Sequence, residues 1–311
     1  MAAFPTADLP DMSGKTVIVT GANSGIGRAA AAAFAHVGAR VVLAVRDPAK
    51  GQATASAIGA ATATVGGGGG GAPEVRELDL ARLDSIRAFA AAWQGEIDLL
   101  INNAGVMAPP LTRTADGFEL QFGTNHLGHF ALTNLLLPNV TGRIVTVSSG
   151  MHQIGRIDFA DLNWERRRYK PWRAYGQSKL ANLLFTSELQ RRLTQAGSPV
   201  LATAAHPGYA ATNLQSSAAS GLQRFAMNQL GNRLIAQDVA GGALPTLYAA
   251  VADLPGDSFA GPGILGLRGA PKLVARSAAA RDATVARRLW SVSEELTGVS
   301  FPDLQSQNKT D

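Results

Sequence analysis

The run Lys15-Thr-Val-Ile-Val-Thr20 leads straight into Gly21-Ala-Asn-Ser-Gly25-Ile-Gly27, and an alanine stretch from Ala29 to Ala33 follows Arg28. The first segment is rich in β-branched residues that favour a strand, and the last is a strong helix former. The glycines between them allow a tight turn and let the backbone approach a ligand closely. A helix that starts at such a turn presents oriented N–H groups at its N-terminus, where a phosphate can be held. Strand, glycine turn and helix in that order is the context that a dinucleotide-binding fingerprint requires. An ordinary tight turn is the plain alternative, and the flanking elements favour the phosphate cradle.

Strand-like and helix-like segments go on alternating along the chain. Residues 39–45 read as a second buried strand, 47–59 as a helix, 74–80 as a third strand and 83–93 as a helix. Residues 97–102 make a fourth strand, 119–137 one long helix, 143–148 a fifth strand and 200–205 a sixth. This order predicts a three-layer, doubly wound parallel sheet of Rossmann type, with helices on both faces. The six glycines from Gly66 to Gly71 read as a flexible surface loop rather than a domain linker. With 311 residues, 46% of them hydrophobic, the chain can build a substantial core, and we expect a single domain over 1–311 with its cofactor part at about 12–150.

Composition removes several classes of function. There is no cysteine, which excludes disulfides, cysteine-ligated zinc and thiol catalysis and fits a reducing, cytoplasmic setting. Among the five histidines, His126 and His129 lie three apart, but without carboxylates at ligand spacing they argue no metal site. The net charge of +5 is scattered over separate elements, in Arg166-Arg-Arg-Tyr-Lys170 and in the Arg191-Arg192 and Arg287-Arg288 pairs. Nucleic-acid binding would want a continuous basic stripe, and none is expected. No signal pattern and no apolar run of membrane-spanning length is present.

Tyr175 and Lys179 lie four apart, which on a helix stacks a phenol and an ammonium on one face. An ammonium beside a phenol favours the phenolate, so we expect a tyrosine tuned toward neutral pH and able to exchange a proton with an alcohol or ketone oxygen. Gly21, Asp79, Asn102, Ser149 and His206-Pro207-Gly208 all fall at or just past strand ends, where an open parallel sheet binds its ligands.

Thr20-Gly21-x-x-x-Gly25-x-Gly27, Asn102-Asn103-Ala104-Gly105, Asn125, Ser149, Tyr175-x-x-x-Lys179 and Pro207-Gly208 together resemble the motif set of the short-chain dehydrogenase/reductase family, in order, over residues 12–213. Asn125-His-Leu-Gly-His-Phe130 and the tail around Leu289-Trp290 and Glu294-Glu-Leu-Thr-Gly298 resemble its retinol-dehydrogenase and WW-domain-oxidoreductase-like branch. The chain lacks the hydrophobic N-terminal anchor of many membrane-bound members, so the resemblance implies no membrane attachment. It implies Tyr175 as general acid/base, Lys179 on the nicotinamide-ribose hydroxyls, Ser149 on the substrate oxygen, and Asn125 positioning a water that links Lys179 to solvent. Capping of a helix kink is the alternative role for Asn125. Ser148 would only satisfy backbone groups, and Asn102 would lock the fourth strand to its neighbour.

The same resemblance assigns the dinucleotide to Gly21, Asn23, Ser24, Gly25, Ile26, Gly27, Asn103, Ala104 and Gly105, with Asp79 and Leu80 on the adenine and Pro207, Gly208 and Thr212 near the carboxamide. Asp79 is equally suited to capping the turn after its strand. At the end of the second strand, where an acidic residue would select NAD, the chain has Val45 and then Arg46. An arginine there pairs a 2′-phosphate, so NADP(H) is expected over NAD(H), which stays possible.

Residues 209–235, with Leu214, Leu222, Phe225, Met227 and Leu230, are expected to form a mobile lid, and Trp164, Tyr169 and Trp172 to enlarge an apolar pocket beside the arginine cluster. A lipophilic ketone, aldehyde or secondary alcohol is the expected substrate. A homodimer or homotetramer is expected, because Leu180, Leu183, Leu184, Phe185 and Leu189 give their helix more apolar surface than one face needs. The rivals are a non-catalytic dinucleotide-binding regulatory module and an epimerase or dehydratase of the longer branch. The intact Tyr175, Lys179, Ser149 and Asn125 disfavour the first, and the glycine spacing disfavours the second.

Overall fold

The computed structural model of the chain describes residues 9–63, 71–208 and 239–304. Thr212, the whole expected lid at 209–235 and the glycine stretch as far as Gly70 lie outside the described residues. Strands β1 (Thr16–Thr20), β2 (Arg40–Val45), β3 (Glu74–Glu77), β4 (Ile97–Asn102), β5 (Val140–Val147), β6 (Leu201–Ala205), β7 (Phe259–Ile264) and β8 (Arg268–Leu273) make one sheet in the order β3-β2-β1-β4-β5-β6-β7-β8. Successive neighbours from β3 to β7 pair parallel, and β8 runs antiparallel at the edge. The chain moves outward from β1 to β3 and then returns to place β4 on the other side of β1. That reversal opens a crevice at the carboxyl ends of β1 and β4.

The period-2 alternation of the strands supplies both layers. Val17, Val19, Val41, Leu43 and Val45 face one way, against α1 (Gly25–His36), α2 (Pro48–Ala63) and a helix we label α7 (Val239–Val251). Ile18, Val42, Ala44, Leu100 and Ile144 face the other way. There they meet α3 (Leu83–Ala91), α5 (Gly128–Leu136), α6 (Pro171–Gln195) and the last helix, α8 (Ala283–Thr297). The expected three-layer parallel architecture is therefore the one observed.

Three details differ from the sequence reading. Strands β7 and β8 went unread because Gly261, Pro262, Gly263, Gly269 and Pro271 are poor strand residues. The single helix expected at 119–137 is broken: α4 (Leu120–Phe122) passes through a wider π turn (Gly123–Leu127) before α5 begins. The buried Glu119 carboxylate caps its start, accepting from the N–H groups of Gln121 (3.0 Å) and Phe122 (2.7 Å). Finally, the apolar surplus of α6 is consumed within one chain. The sheet takes one side, and α8 takes the other through Trp290, which stacks on Phe185 at 5.7 Å and meets Phe130 edge-on at 4.9 Å. Two-sided burial of α6 thus no longer argues for a partner subunit.

Four histidines, His126, His129, His152 and His206, are buried in this frame, and burial holds each below its ordinary value. His126 and His129 point to different groups, Ser293 (3.0 Å) and Thr20 (2.9 Å), rather than to a shared centre. Burial lowers His126 to about 3, and His129 and His206 to about 4. The ordinary value in an unfolded chain is about 6.5. Between those limits the unfolded chain binds protons that the folded chain refuses, so stability is complete above pH 6.5 and is lost as pH falls toward 4. We expect the melting temperature to drop steeply below pH 6.5, with about three to four protons taken up per molecule unfolded. Calorimetry at several pH values checks this, and a flat profile from pH 7 to 4.5 would contradict it.

Candidate active site

The crevice at the carboxyl edge of the sheet is a cavity of about 1000 Å³. Gly21, Asn23, Ser24, Gly25, Ile26 and Gly27 line one end with Arg46, Asp79 and Leu80. Asn103, Ala104, Gly105, Ser149, Tyr175, Lys179, Pro207 and Gly208 line its middle. Of the expected site residues that the structure describes, Asn125 alone lies behind the wall instead of on it.

The cradle is built by close approach. Gly21 has φ +65°, and a Cβ there would sit 2.9 Å from the Ala104 Cα. A Cβ on Gly27 would meet the Asn103 amide and stand 2.6 Å from the Gly21 carbonyl oxygen. The Asn103 Nδ2 donates to the Thr20 carbonyl at 2.8 Å, which ties the β4 loop to the turn. Ser24 occupies the N-cap of α1 without a side-chain capping bond, and the first turn carries no acidic residue. Uncapped first-turn N–H groups beside a cavity, with no side-chain volume in the way, fit a pyrophosphate. Asp79 accepts the Ala81 N–H at 3.0 Å, so it caps its turn while also facing the cavity. Lys50, in the first turn of α2, joins Arg46 on the wall. It went unread, although a second cation four residues after Arg46 is visible in the sequence; it pairs with Asp47 at 3.1 Å.

Around the reacting centre every polar group is placed by a neighbour. Lys179 Nζ donates to the Val147 carbonyl at 3.0 Å, and Asn182 Nδ2 donates to the same oxygen at 3.1 Å. Ser148 donates to the Lys179 carbonyl at 2.7 Å, a backbone role as expected, which leaves Ser149 to face the cavity. Asn125 sits in the π turn, where its Oδ1 accepts from the Val106 N–H (2.8 Å) and its Nδ2 donates to the Val106 carbonyl (2.9 Å) and to Ser178 Oγ (2.9 Å). A Cβ on Gly105 would lie 3.0 Å from Asn125 Oδ1 and 3.5 Å from Lys179 Nζ, so these three positions are in direct apposition. Asn102 departs from expectation: its Nδ2 holds Thr133 of α5 at 2.8 Å instead of locking a neighbouring strand.

The electrostatics also depart from expectation. Lys179 Nζ lies 5.7 Å from the Tyr175 ring centroid, yet the phenol is not drawn toward neutral. Burial pushes it up to about 12, and the Ser149 hydroxyl opposes this only in part by hydrogen bonding. The same burial lowers Lys179 to about 8, which weakens its hold on a full positive charge near neutrality. Loss of water disfavours the charged form of both groups, and here that cost exceeds their mutual attraction. At pH 7 the site thus contains a protonated phenol, able to donate a proton.

Set beside known proteins, residues 15–223 match the family described as short chain dehydrogenase. The chain belongs to the short-chain dehydrogenase family. Within it, the dehydrogenase lies in the retinol-dehydrogenase-like branch. It is 45% identical to retinol dehydrogenase 13 of Homo sapiens, over 94% of this chain and 88% of that one. It is 42% identical to retinol dehydrogenase 14 of Mus musculus, over 93% and 87%. An uncharacterized protein from Mycobacterium paratuberculosis has a crystal structure with a TM-score of 0.83 and 53% identity, covering 97% of this chain and all of that one. A short-chain dehydrogenase from Shigella flexneri complexed with NADP shares the fold at a TM-score of 0.60 and 22% identity, over 81% and 98%. As a family member the dehydrogenase is an NAD(P)-dependent oxidoreductase acting on CH–OH groups. No helix among its described residues is long and apolar enough to cross a membrane.

The far end of the cavity is apolar, and much of it comes from the unread β7–β8 hairpin. Phe259, Leu265 and Leu267 line it there with Met151, Val274 and Trp172. Of the three aromatics expected in the pocket, Trp172 reaches it and meets Tyr175 edge-on at 6.3 Å. Trp164 and Tyr169 pack on each other at 5.6 Å, outside the cavity lining. The arginine cluster is not on the wall either. Arg167 folds back over the Trp164 ring at 3.7 Å and bonds Asp158 (3.3 Å) and Gln177 (2.9 Å). Since the cradle tolerates no Cβ at Gly27, the Gly27→Ala variant should be less stable by about 1–3 kcal/mol in urea unfolding. It should also bind dinucleotide more weakly, as fluorescence titration would register.

Proposed function

We propose that the chain is an NADP(H)-preferring oxidoreductase that reduces the ketone or aldehyde of a lipophilic substrate, or oxidises the matching alcohol, with Tyr175 as general acid/base. One observation carries this reading: a single cavity has the glycine cradle and two cations at one end, Ser149, Tyr175 and Lys179 in the middle, and an apolar wall at the other. The dinucleotide, when bound, supplies or takes up the hydride. The chain's own groups then do the rest. Tyr175 donates its proton to the carbonyl oxygen while Ser149 donates a hydrogen bond to the same atom, stabilising the charge that develops there. Lys179 holds ribose hydroxyls, and Asn125 backs it on the side from which a relayed proton would arrive.

Cofactor preference rests on Arg46, which has no acidic residue in its place, and on Lys50 beside it. Arg46 suits a 2′-phosphate, with Lys50 nearby in an ion pair with Asp47, and the N-terminal turn of α1 suits the pyrophosphate. The named relatives act on retinol, and their likeness over most of the chain makes a retinoid the first lipophilic pair to test.

The test is NADPH oxidation with retinal and a panel of apolar and hydrophilic carbonyls. Turnover of hydrophilic carbonyls alone would overturn the substrate class. The Tyr175→Phe variant should lose about 10²- to 10⁴-fold in kcat. Losing a charged contact to phosphate is worth about 1.5–3 kcal/mol, so Arg46→Ala should lower kcat/KM for NADPH roughly 10- to 100-fold and leave NADH little changed. Equal use of both cofactors by the unaltered enzyme would refute the preference. Because Lys179 loses its proton near pH 8, the reduction rate should decline as pH rises through that value. A Lys179→Arg variant that keeps any activity should lack that limb in the pH–rate profile.

A further inference from the structure

We propose that His129 is a positioning residue that couples the dinucleotide cradle to the Asn125–Lys179 side of the site, an inference that rests on the reading above. His129 lies in α5, 1% exposed, outside the cavity lining, and both of its ring nitrogens are engaged. Nδ1 is 3.0 Å from the Asn125 backbone carbonyl, and Nε2 is 2.9 Å from Thr20 Oγ1. A carbonyl can only accept, so Nδ1 carries the proton and Nε2 is bare. The Thr20 hydroxyl must then donate to Nε2, with the Ile101 carbonyl at 3.3 Å as the longer alternative for the same proton. Its lone pairs receive the N–H groups of Asn103 and Ala104, both at 2.9 Å.

The direction of every bond is thereby set. Backbone amides of the loop after β4, next to the glycine turn, donate to Thr20. Thr20 donates to His129, and His129 donates to Asn125. Asn125 in turn grips Val106 on both its N–H and its carbonyl, and stands against Gly105 and Lys179. A neutral imidazole is the group this chain of bonds needs, since a cation would aim its Nε2–H at a Thr20 oxygen whose two lone pairs already receive Asn103 and Ala104. Burial and the nearby Lys179 hold His129 neutral throughout the working pH range, so the coupling is a fixed geometry and not a pH switch.

Two variants separate coupling from simple packing. In His129→Asn the amide nitrogen stands in for Nδ1, which keeps the Asn125 bond and loses Thr20. In His129→Gln the longer side chain reaches the Nε2 position, which keeps Thr20 and loses Asn125. One lost buried hydrogen bond corresponds to about a five- to tenfold effect. We expect His129→Asn to weaken the NADPH dissociation constant by about that factor, read by fluorescence titration, with kcat nearly kept. His129→Gln should show the reverse, with kcat lowered and NADPH binding nearly kept.

Equal losses of melting temperature with neither constant moved, or parallel losses of both constants in both variants, would overturn the proposal. Should either variant fail to fold, ¹⁵N resonances of the unaltered enzyme decide. The His129 ring should show the Nδ1–H neutral form from pH 6 to 8 and shift when NADPH is added. An Nε2–H form, or no response to NADPH, would overturn it. If the unaltered enzyme bound no dinucleotide at all, the functional reading itself would fall, an outcome distinct from a wild type that binds and variants that do not split.

Discussion

The end of β1 and the loop leaving β4 approach each other so closely that only glycine fits between them, and the rest of the site depends on this contact. Ala104 lies so near Gly21 that a side chain at position 21 would overlap it. Asn103 spans the same gap by donating to the Thr20 carbonyl. Parallel strands set this up, because β1 and β4 are neighbours in register, with Val17, Ile18 and Val19 opposite Leu99, Leu100 and Ile101. Their chains leave the sheet side by side and in the same direction. A cavity can open there only if the two exits are held apart by a fixed amount, and the Thr20 hydroxyl with its two amide donors fixes that amount.

Burial, more than charge pairing, then sets the chemistry. Tyr175 and Lys179 share one face of α6 and are both almost wholly removed from water. Each is displaced toward its neutral form, the phenol up to about 12 and the ammonium down to about 8. The site therefore holds its proton on the phenol. The four buried histidines obey the same rule, each displaced toward its neutral form. Placing so many titratable groups in a dry interior makes the fold sensitive to acid, which is the consequence of keeping water away from the reacting oxygen.

Motifs whose chemistry depends on short spacing were legible in the sequence. The glycine turn, Asn103-Ala104-Gly105 and Tyr175-x-x-x-Lys179 act through backbone shape or a single helix turn, so spacing along the chain is spacing in space. What depended on distant contacts was not. Strands β7 and β8 carry glycine and proline, and only the pairing of β7 to β6 and of β8 to β7 makes them strands. The apolar wall they bring was missed with them. The helix at 119–137 has no local signal for its π turn, which accompanies the bonds of Asn125 to Val106 and Ser178, far off in the chain. The Tyr175 pKa was misjudged for the same reason: spacing reports the ammonium four residues away, and says nothing of the water that folding removes.

The second face of α6 carries the argument one step further. A helix with apolar residues on two faces must be covered twice. Here α8 supplies the second cover, with Trp290 wedged between Phe130 of α5 and Phe185 of α6. From the same helix Ser293 meets His126, one helix turn before Phe130 and three residues before His129. The C-terminal helix is thus packed against the back of both elements that hold Asn125, Tyr175 and Lys179. Rigid placement of these groups at the front of the sheet requires rigid packing behind it, because a helix free to shift by a fraction of its pitch would carry the phenol away from the oxygen it must reach.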